Sequence, residues 1–216
     1  MRIVLLGSPG SGKGTQAQRL TSIYNIPHIS TGDLLRAAVS AKTEYGIKAR
    51  EAMDTGNLVS DDIMLSMIRE RLQEEDAKNG FILDGYPRNI SQANSLDSLL
   101  AEIDQSIQAG LLIDVDFDVL MKRLTGRISC KSCNAVYNRY FSPPETEGIC
   151  DKCGSTELFH RGDDNEETIK NRLTVYQQNT APVIDFYSDK GMLRRINGVG
   201  DMEDITNAIK AELDTL

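Results

Sequence analysis

Arg2-Ile3-Val4-Leu5-Leu6-Gly7-Ser8-Pro9-Gly10-Ser11-Gly12-Lys13-Gly14-Thr15 is the stretch that decides the fold class. The run Ile3 to Leu6 is apolar at every position, which reads as a strand buried on both faces, as in a parallel sheet covered by helices. The loop after it has the spacing G-x-x-x-x-G-K and leads into residues 13–24, where Ala17, Leu20 and Tyr24 share one helical face. In that setting glycines let backbone N–H groups turn inward around a phosphate, and the helix N-terminus adds positive potential. Lys13 then supplies a mobile charge for the β- and γ-phosphates. The usual pattern has Ser or Thr directly after the lysine, whereas here Gly14 intervenes and Thr15 follows. A glycine-rich connection without a ligand is the competing reading. The lysine and the strand–helix context both stand against it.

Outward from this stretch, Phe81-Ile82-Leu83 and residues 110–115 predict further buried strands, and 192–196 a shorter one. Helical patterns fall at 34–40, 60–75, 91–103, 116–124, 165–187 and 202–213. Alternating strands and helices predict an α/β fold of the P-loop NTPase type, a parallel sheet flanked by helices. Residues 31–59 offer helices without a strand pattern and read as a helical insertion. Residues 126–164 are rich in Cys, Gly, Pro and aromatic residues and lack helical periodicity. A loop-like stretch of that length in a compact domain points to a lid or a separately folded unit. The expected organisation of the 216 residues is one core (1–29, 60–125, 165–216) with inserted regions 30–59 and 126–164.

Net charge is −8 with a pI near 4.9. Such a surface repels a polyanion, so no nucleic-acid partner is expected, while a local cationic pocket for small phosphorylated ligands is compatible with it. Apolar runs are too short for a membrane span or a secretory signal. A cytoplasmic monomer with reduced cysteines is therefore expected.

The second informative segment is Phe81-Ile82-Leu83-Asp84-Gly85-Tyr86-Pro87-Arg88-Asn89-Ile90-Ser91-Gln92. An apolar strand ends in Asp84, a carboxylate placed to order the water shell of Mg²⁺. Gly85 permits close backbone approach, and Pro87 fixes the chain so that Arg88 projects at the carboxyl end of the strand, where ligands of open α/β sheets bind. An exposed Asp-Gly turn is the bland alternative. It leaves Arg88 and Gln92 behind a buried strand unexplained.

With Ser30-Thr31-Gly32-Asp33-Leu34-Leu35-Arg36 added, these segments resemble the adenylate kinase family, in its long-lid, zinc-binding form, over essentially the whole chain. The resemblance implies ATP + AMP ⇌ 2 ADP with Mg²⁺ as cofactor and a lid that closes over the substrates. It implies ATP binding by Gly10, Ser11, Gly12, Lys13, Gly14, Thr15, Arg127, Val136, Tyr137 and Gly200. It implies AMP binding by Thr31, Arg36, Asn57, Leu58, Val59, Gly85, Tyr86, Pro87, Arg88, Gln92, Arg161 and Arg172, with Gln92 reading the adenine edge. Lys13, Arg88, Arg123, Arg127, Arg161 and Arg172 would carry catalysis. Such an excess of cations suits phosphoryl transfer, where charge on the equatorial oxygens must be stabilised. Taken singly, each arginine also reads as a solvated helix face. Asp163 and Asp164 read equally as partners of the arginines or as acids at the start of the next helix.

Cys130-x2-Cys133 and Cys150-x2-Cys153 have the spacing of a structural zinc site, four thiolates closing a tetrahedron with no open position. Disulfides are the competing reading, and a reducing compartment disfavours them. His160 reads as an exposed histidine rather than a fifth ligand. Within the same enzyme class, a UMP/CMP kinase or a GTP-using AMP kinase is the alternative. From another class, a zinc-ribbon nucleic-acid-binding module with a regulatory NTP site is opposed by the acidic charge.

Overall fold

Strand β1 (Arg2–Leu6) is buried from Ile3 onward because it lies in the middle of the main sheet. The computed structural model describes residues 1–216, and the elements after β1 are α1 (Lys13–Tyr24), β2 (His28–Ser30), α2 (Thr31–Ser40), α3 (Glu44–Thr55) and α4 (Asp61–Leu72). Then come β3 (Phe81–Asp84), α5 (Ile90–Ala101), β4 (Ala109–Asp114) and α6 (Phe117–Thr125). The chain continues through β5 (Arg127–Cys130), β6 (Val136–Asn138), β7 (Leu158–Phe159), α7 (Glu166–Val175), α8 (Pro182–Asp189), β8 (Leu193–Asn197) and α9 (Met202–Leu213).

The main sheet has the order β2-β3-β1-β4-β8, and every neighbouring pair is parallel. Alternation along β1 sends Ile3 and Leu5 to the cluster that holds Leu20, Ile205 and Ile209. Val4 and Leu6 go to the opposite cluster, with Leu83, Leu96 and Tyr187. Helices thus cover both faces, as the apolar runs require. Because α1 leads from β1 to β2 on the far side of β3, while β4 lies on the other flank of β1, a crevice opens at the carboxyl ends of these strands.

Two sequence expectations change here. Strand β2 forms at 28–30, just before the helical insertion, where no strand had been read. Its flanks are His28 and Ser30, so only Ile29 carries an apolar signal. The helix expected over 165–187 is interrupted: a π-helical turn at Tyr176–Thr180 separates α7 from α8. Pro182 has no N–H to donate, and the backbone N–H of Ala181 reaches back to the Tyr176 carbonyl at 2.8 Å.

Residues 127–159 build a separate antiparallel sheet, β6-β5-β7. Its buried cluster is only Cys130, Ala135 and Cys150, with Cys133, Tyr137 and Leu158 packed against them. So small a core does not hold a fold by burial alone.

Candidate active site

A single cleft of about 680 Å³ runs along the carboxyl ends of the main sheet and under the small sheet. On its floor the loop after β1 is built from backbone conformations that glycine allows. At Gly7, with φ of +134°, a Cβ would sit 2.5 Å from the Ile113 carbonyl oxygen, so this position excludes any side chain. Lys13 curls over the loop, its Nζ donating to the carbonyls of Gly7 at 2.7 Å and Ser8 at 3.0 Å. Burial pushes its ammonium down to about 8; Asp84 opposes the shift, and the charges of Arg88, Arg172 and Arg127 add to it.

Asp84 faces this lysine from the end of β3. Burial pushes its carboxyl up, but the hydrogen bond with His28 and the charges of Lys13 and Arg88 outweigh that, and the group lies below its ordinary value. His28 Nε2 is 3.2 Å from Asp84 Oδ2. The sequence had given no role to His28. Its only signal was its place immediately ahead of the Ser30–Arg36 motif.

The predicted arginines divide into two groups. Arg88, Arg127, Arg161 and Arg172 form one cationic cluster. Burial and the neighbouring guanidinium of Arg172 push Arg88 down to about 10, and burial and Arg127 do the same to Arg161. Asp164 is almost fully enclosed and holds Arg127 by two hydrogen bonds, one from Nε at 2.7 Å, while Arg172 Nη1 contacts it at 3.3 Å. Arg172 also donates to Asp163 Oδ2 at 2.8 Å. Both acids therefore pair with the cluster. The start of α7 is capped instead by Asn165, which accepts from Thr168 N, with Glu166 and Glu167 in the first turn. Arg161 is braced by a 3.0 Å hydrogen bond from its Nε to Ser129 Oγ, and Arg36 donates to Asp33 at 2.5 Å.

Arg123 stands apart. It donates to two backbone carbonyls, Ser11 at 3.1 Å and Gly198 at 2.8 Å, and burial alone accounts for its lowered pKa. It lines the cleft and ties the phosphate loop to the turn after β8. The turn that it holds carries Gly200, which lines the cleft with Val136 and Tyr137. The Tyr137 hydroxyl is held by the cysteine knuckle, 3.3 Å from Cys150 Sγ and accepting from Asp151 N at 2.8 Å.

On the acceptor side Leu35, Met53, Leu58, Val59 and Met64 form an apolar wall. The Asn57 side chain is exposed and tied to Asn171, so it turns away from that wall. Gly85, with φ of +84°, brings the backbone close to Thr31 and Arg88; a Cβ there would lie 2.5 Å from Thr31 Oγ1. Arg88 Nε donates to the Gly85 carbonyl at 2.7 Å. Two residues expected to touch the acceptor do not reach the cleft. Thr31 is fully buried and donates to the Asp84 carbonyl at 3.2 Å, bracing the turn from behind. Tyr86 is 1% exposed, with its ring in the cluster that holds Phe81 and Leu83; β3 ends at Asp84, and the left-handed turn at Gly85 carries the side chain to that face against the strand alternation. Thr180, in the π-helical turn, donates to the Arg88 carbonyl at 2.8 Å and lines the cleft with Tyr176. Sequence reading missed both; Pro182 inside a helical pattern was the available signal.

The four sulfurs of Cys130, Cys133, Cys150 and Cys153 lie within 4.8 Å of one another, and two pairs are 3.6 Å apart. That is too long for disulfides. It suits a tetrahedral metal, whose sulfurs at about 2.3 Å from the ion stand about 3.8 Å from each other. The Tyr137 hydrogen bond, outweighing burial, lowers the pKa of the Cys150 thiol, while burial raises that of Cys133. His160 is exposed, with Nδ1 2.7 Å from the Arg127 carbonyl, and takes no part in the cluster.

A phosphate loop, a carboxylate at the end of the adjoining strand and a cationic cluster facing an apolar acceptor wall define a P-loop phosphotransferase of small nucleotides. The family model described as adenylate kinase matches residues 5–192. The chain is 56% identical over 215 residues to the adenylate kinase of Nitrosococcus oceani, covering 100% of this chain and 99% of the relative. It is 56% identical over 214 residues to that of Thermodesulfovibrio yellowstonii, covering 99% of each. Identity to the adenylate kinase of a Geobacillus species is 50% over 216 residues, the full length of both. The chain belongs to the adenylate kinase family.

Proposed function

We propose that the cleft carries the reaction of this family, ATP + AMP ⇌ 2 ADP, with donor and acceptor meeting between Lys13 and Arg88. The donor phosphates lie in the cradle of Gly10 to Thr15, with Arg127 beside them. The donor base lies toward Val136, Tyr137 and Gly200. The acceptor phosphate is gripped by Arg36, Arg88, Arg161 and Arg172, and its base sits on the apolar wall with Gln92 at the edge. A phosphate oxygen of AMP attacks the γ-phosphorus in line, the bond to the β–γ bridging oxygen breaks, and ADP leaves with that electron pair. The attacking oxygen is already anionic, so no general base is needed. Lys13 and the guanidiniums hold the charge that spreads over the transferring group. Mg²⁺ bound with the ATP phosphates neutralises part of that charge, and Asp84, kept ionised by its neighbours, would hold its waters.

The observation that carries this reading is the convergence of Lys13, Arg88, Arg127, Arg161 and Arg172 on one cleft; burial first, and neighbouring like charges after it, lower the pKa values of Lys13, Arg88, Arg161 and Arg172, and an anionic ligand relieves the repulsion. Residues 30–59 and 126–164 act as two moving regions that close over the substrates and exclude water. The four cysteines hold a structural zinc ion, which replaces the core that the small sheet lacks. The protein works as a cytoplasmic monomer: the cleft is complete within one chain, and free thiols need a reducing compartment. No helix is long and apolar enough to cross a membrane.

The test is a coupled assay with MgATP against AMP, GMP, CMP and UMP in turn, then with GTP as donor. Turnover of AMP alone is expected, lost in folded Lys13→Ala and Arg88→Ala proteins. Turnover only with a pyrimidine monophosphate would overturn the acceptor assignment.

A further inference from the structure

Gln92 lines the cleft beside Arg88, yet it is only 2% exposed, and both ends of its amide are engaged by the protein. Its Oε1 accepts from the backbone N–H of Arg88 at 2.7 Å, and its Nε2 donates to Asp61 Oδ1 at 2.8 Å. A primary amide has two donor hydrogens and two acceptor lone pairs, so each end keeps one free. Neither partner tolerates an exchange of ends. A backbone N–H only donates and a carboxylate only accepts, so a half-turn of the amide would set donor against donor and acceptor against acceptor. Asp61 is itself held in place: Asn89 Nδ2 donates to the same Oδ1 at 3.0 Å, while Asn89 Oδ1 caps α5 by accepting from Gln92 N at 2.8 Å. Asp61 is also the first residue of α4, where the positive helix end favours a carboxylate. Its side chain does not line the cleft.

We propose that Asp61 is a specificity-determining positioning residue: it locks the Gln92 amide in the orientation that matches a 6-aminopurine and rejects a 6-oxopurine. Resting on the reading that Gln92 meets the acceptor base, the reasoning is a matter of donors and acceptors. Adenine offers an acceptor at N1 beside a donor on N6. Hypoxanthine and guanine offer the reverse, a donor at N1 beside an acceptor at O6. With the acceptor phosphate fixed by the arginines and the base fixed on its apolar wall, only the amide can turn to suit the second pattern. Two contacts prevent that turn. The Arg88 N–H belongs to the backbone and persists in any side-chain variant; Asp61 is the half of the lock that a substitution can remove.

The experiment compares kcat/KM for AMP and for IMP, which differ at N1 and C6 without the added 2-amino group of GMP. The wild type is measured beside Asp61→Asn, Asp61→Ala and Gln92→Ala. The alanine variant removes the accept-only partner outright; the asparagine is isosteric, and Asn89 Nδ2, itself fixed by the cap on α5, keeps an oxygen at the Oδ1 position, so this variant preserves the lock and serves as the control. Asp61→Ala is expected to raise the IMP-to-AMP ratio about tenfold, the scale set by one unmatched buried hydrogen bond, and Asp61→Asn to leave it near wild type. Partial misfolding lowers both rates together and leaves the ratio alone, so the ratio reports the lock itself. If Gln92→Ala moves the ratio toward unity but Asp61→Ala does not change it, the lock is refuted while Gln92 still reads the base. If Gln92→Ala also leaves the ratio unchanged, the reading of Gln92 falls, and this proposal with it.

Discussion

Donor binding should draw a proton onto Lys13, by an amount that rises steeply with pH. In the free protein, burial pushes this ammonium down to about 8, a shift opposed by Asp84 and reinforced by Arg88, Arg172 and Arg127. An ordinary lysine titrates at about 10.4. Polyphosphate packed against Nζ supplies the missing counter-charge and returns the group toward that value. Uptake is the difference in protonation between bound and free protein: about 0.1 proton at pH 7, about 0.5 at pH 8 and about 0.9 at pH 9. Titration calorimetry with a non-hydrolysable ATP analogue and Mg²⁺, in buffers of different ionisation heat, reads this number directly. A flat profile from pH 7 to 9, or the same rise in Lys13→Met, would refute the reasoning. A stability corollary has a definite sign. Between pH 8 and about 10.4 the unfolded chain holds the Lys13 proton and the native chain does not, so the free protein gains stability as pH rises. The cost is complete below that window and amounts to about 3 kcal/mol at most, relative to Lys13→Met.

Two further outcomes follow from the geometry. Elemental analysis should find one zinc per chain. Its removal by a chelator, or Cys133→Ser, should cost several kcal/mol of lid stability, on the order seen when a metal replaces a core, and should raise KM for ATP more than KM for AMP. Gly85→Ala forces an alanine to φ of +84° with its Cβ against Thr31 Oγ1; denaturant melts should show a loss of about 1–2 kcal/mol. In steady-state kinetics KM for AMP should rise while KM for ATP stays close to wild type.

Several parts of the site were legible because their chemistry is local. The spacing from Gly7 to Lys13 prescribes a backbone cradle, and the burial of Ile3 to Leu6 follows from four adjacent apolar residues. The cysteine pairs announce a tetrahedron because each C-x-x-C turn brings two sulfurs together within itself. Strand β2 was not legible, since three residues with polar flanks carry no alternation to read. Nor was the π-helical turn, whose consequence is a contact from Thr180 to Arg88, ninety-two positions away in sequence.

By itself, then, the sequence determined the class of fold, the phosphate loop, the cysteine cluster and the catalogue of cations, all set by spacings within a few residues. The tertiary structure decided which side chains face the cleft and which stand behind it. Thr31 and Tyr86 belong to acceptor motifs, yet one opens α2 and braces the turn after β3 while the other is swung into the core by the left-handed turn at Gly85. Arg123 and Arg127 are one helical turn apart in sequence, yet the first holds backbone carbonyls while the second joins the cationic cluster. Which cation meets which anion depends on where the strands of the sheet end, and that is fixed by packing across the whole chain, not by any local run of residues.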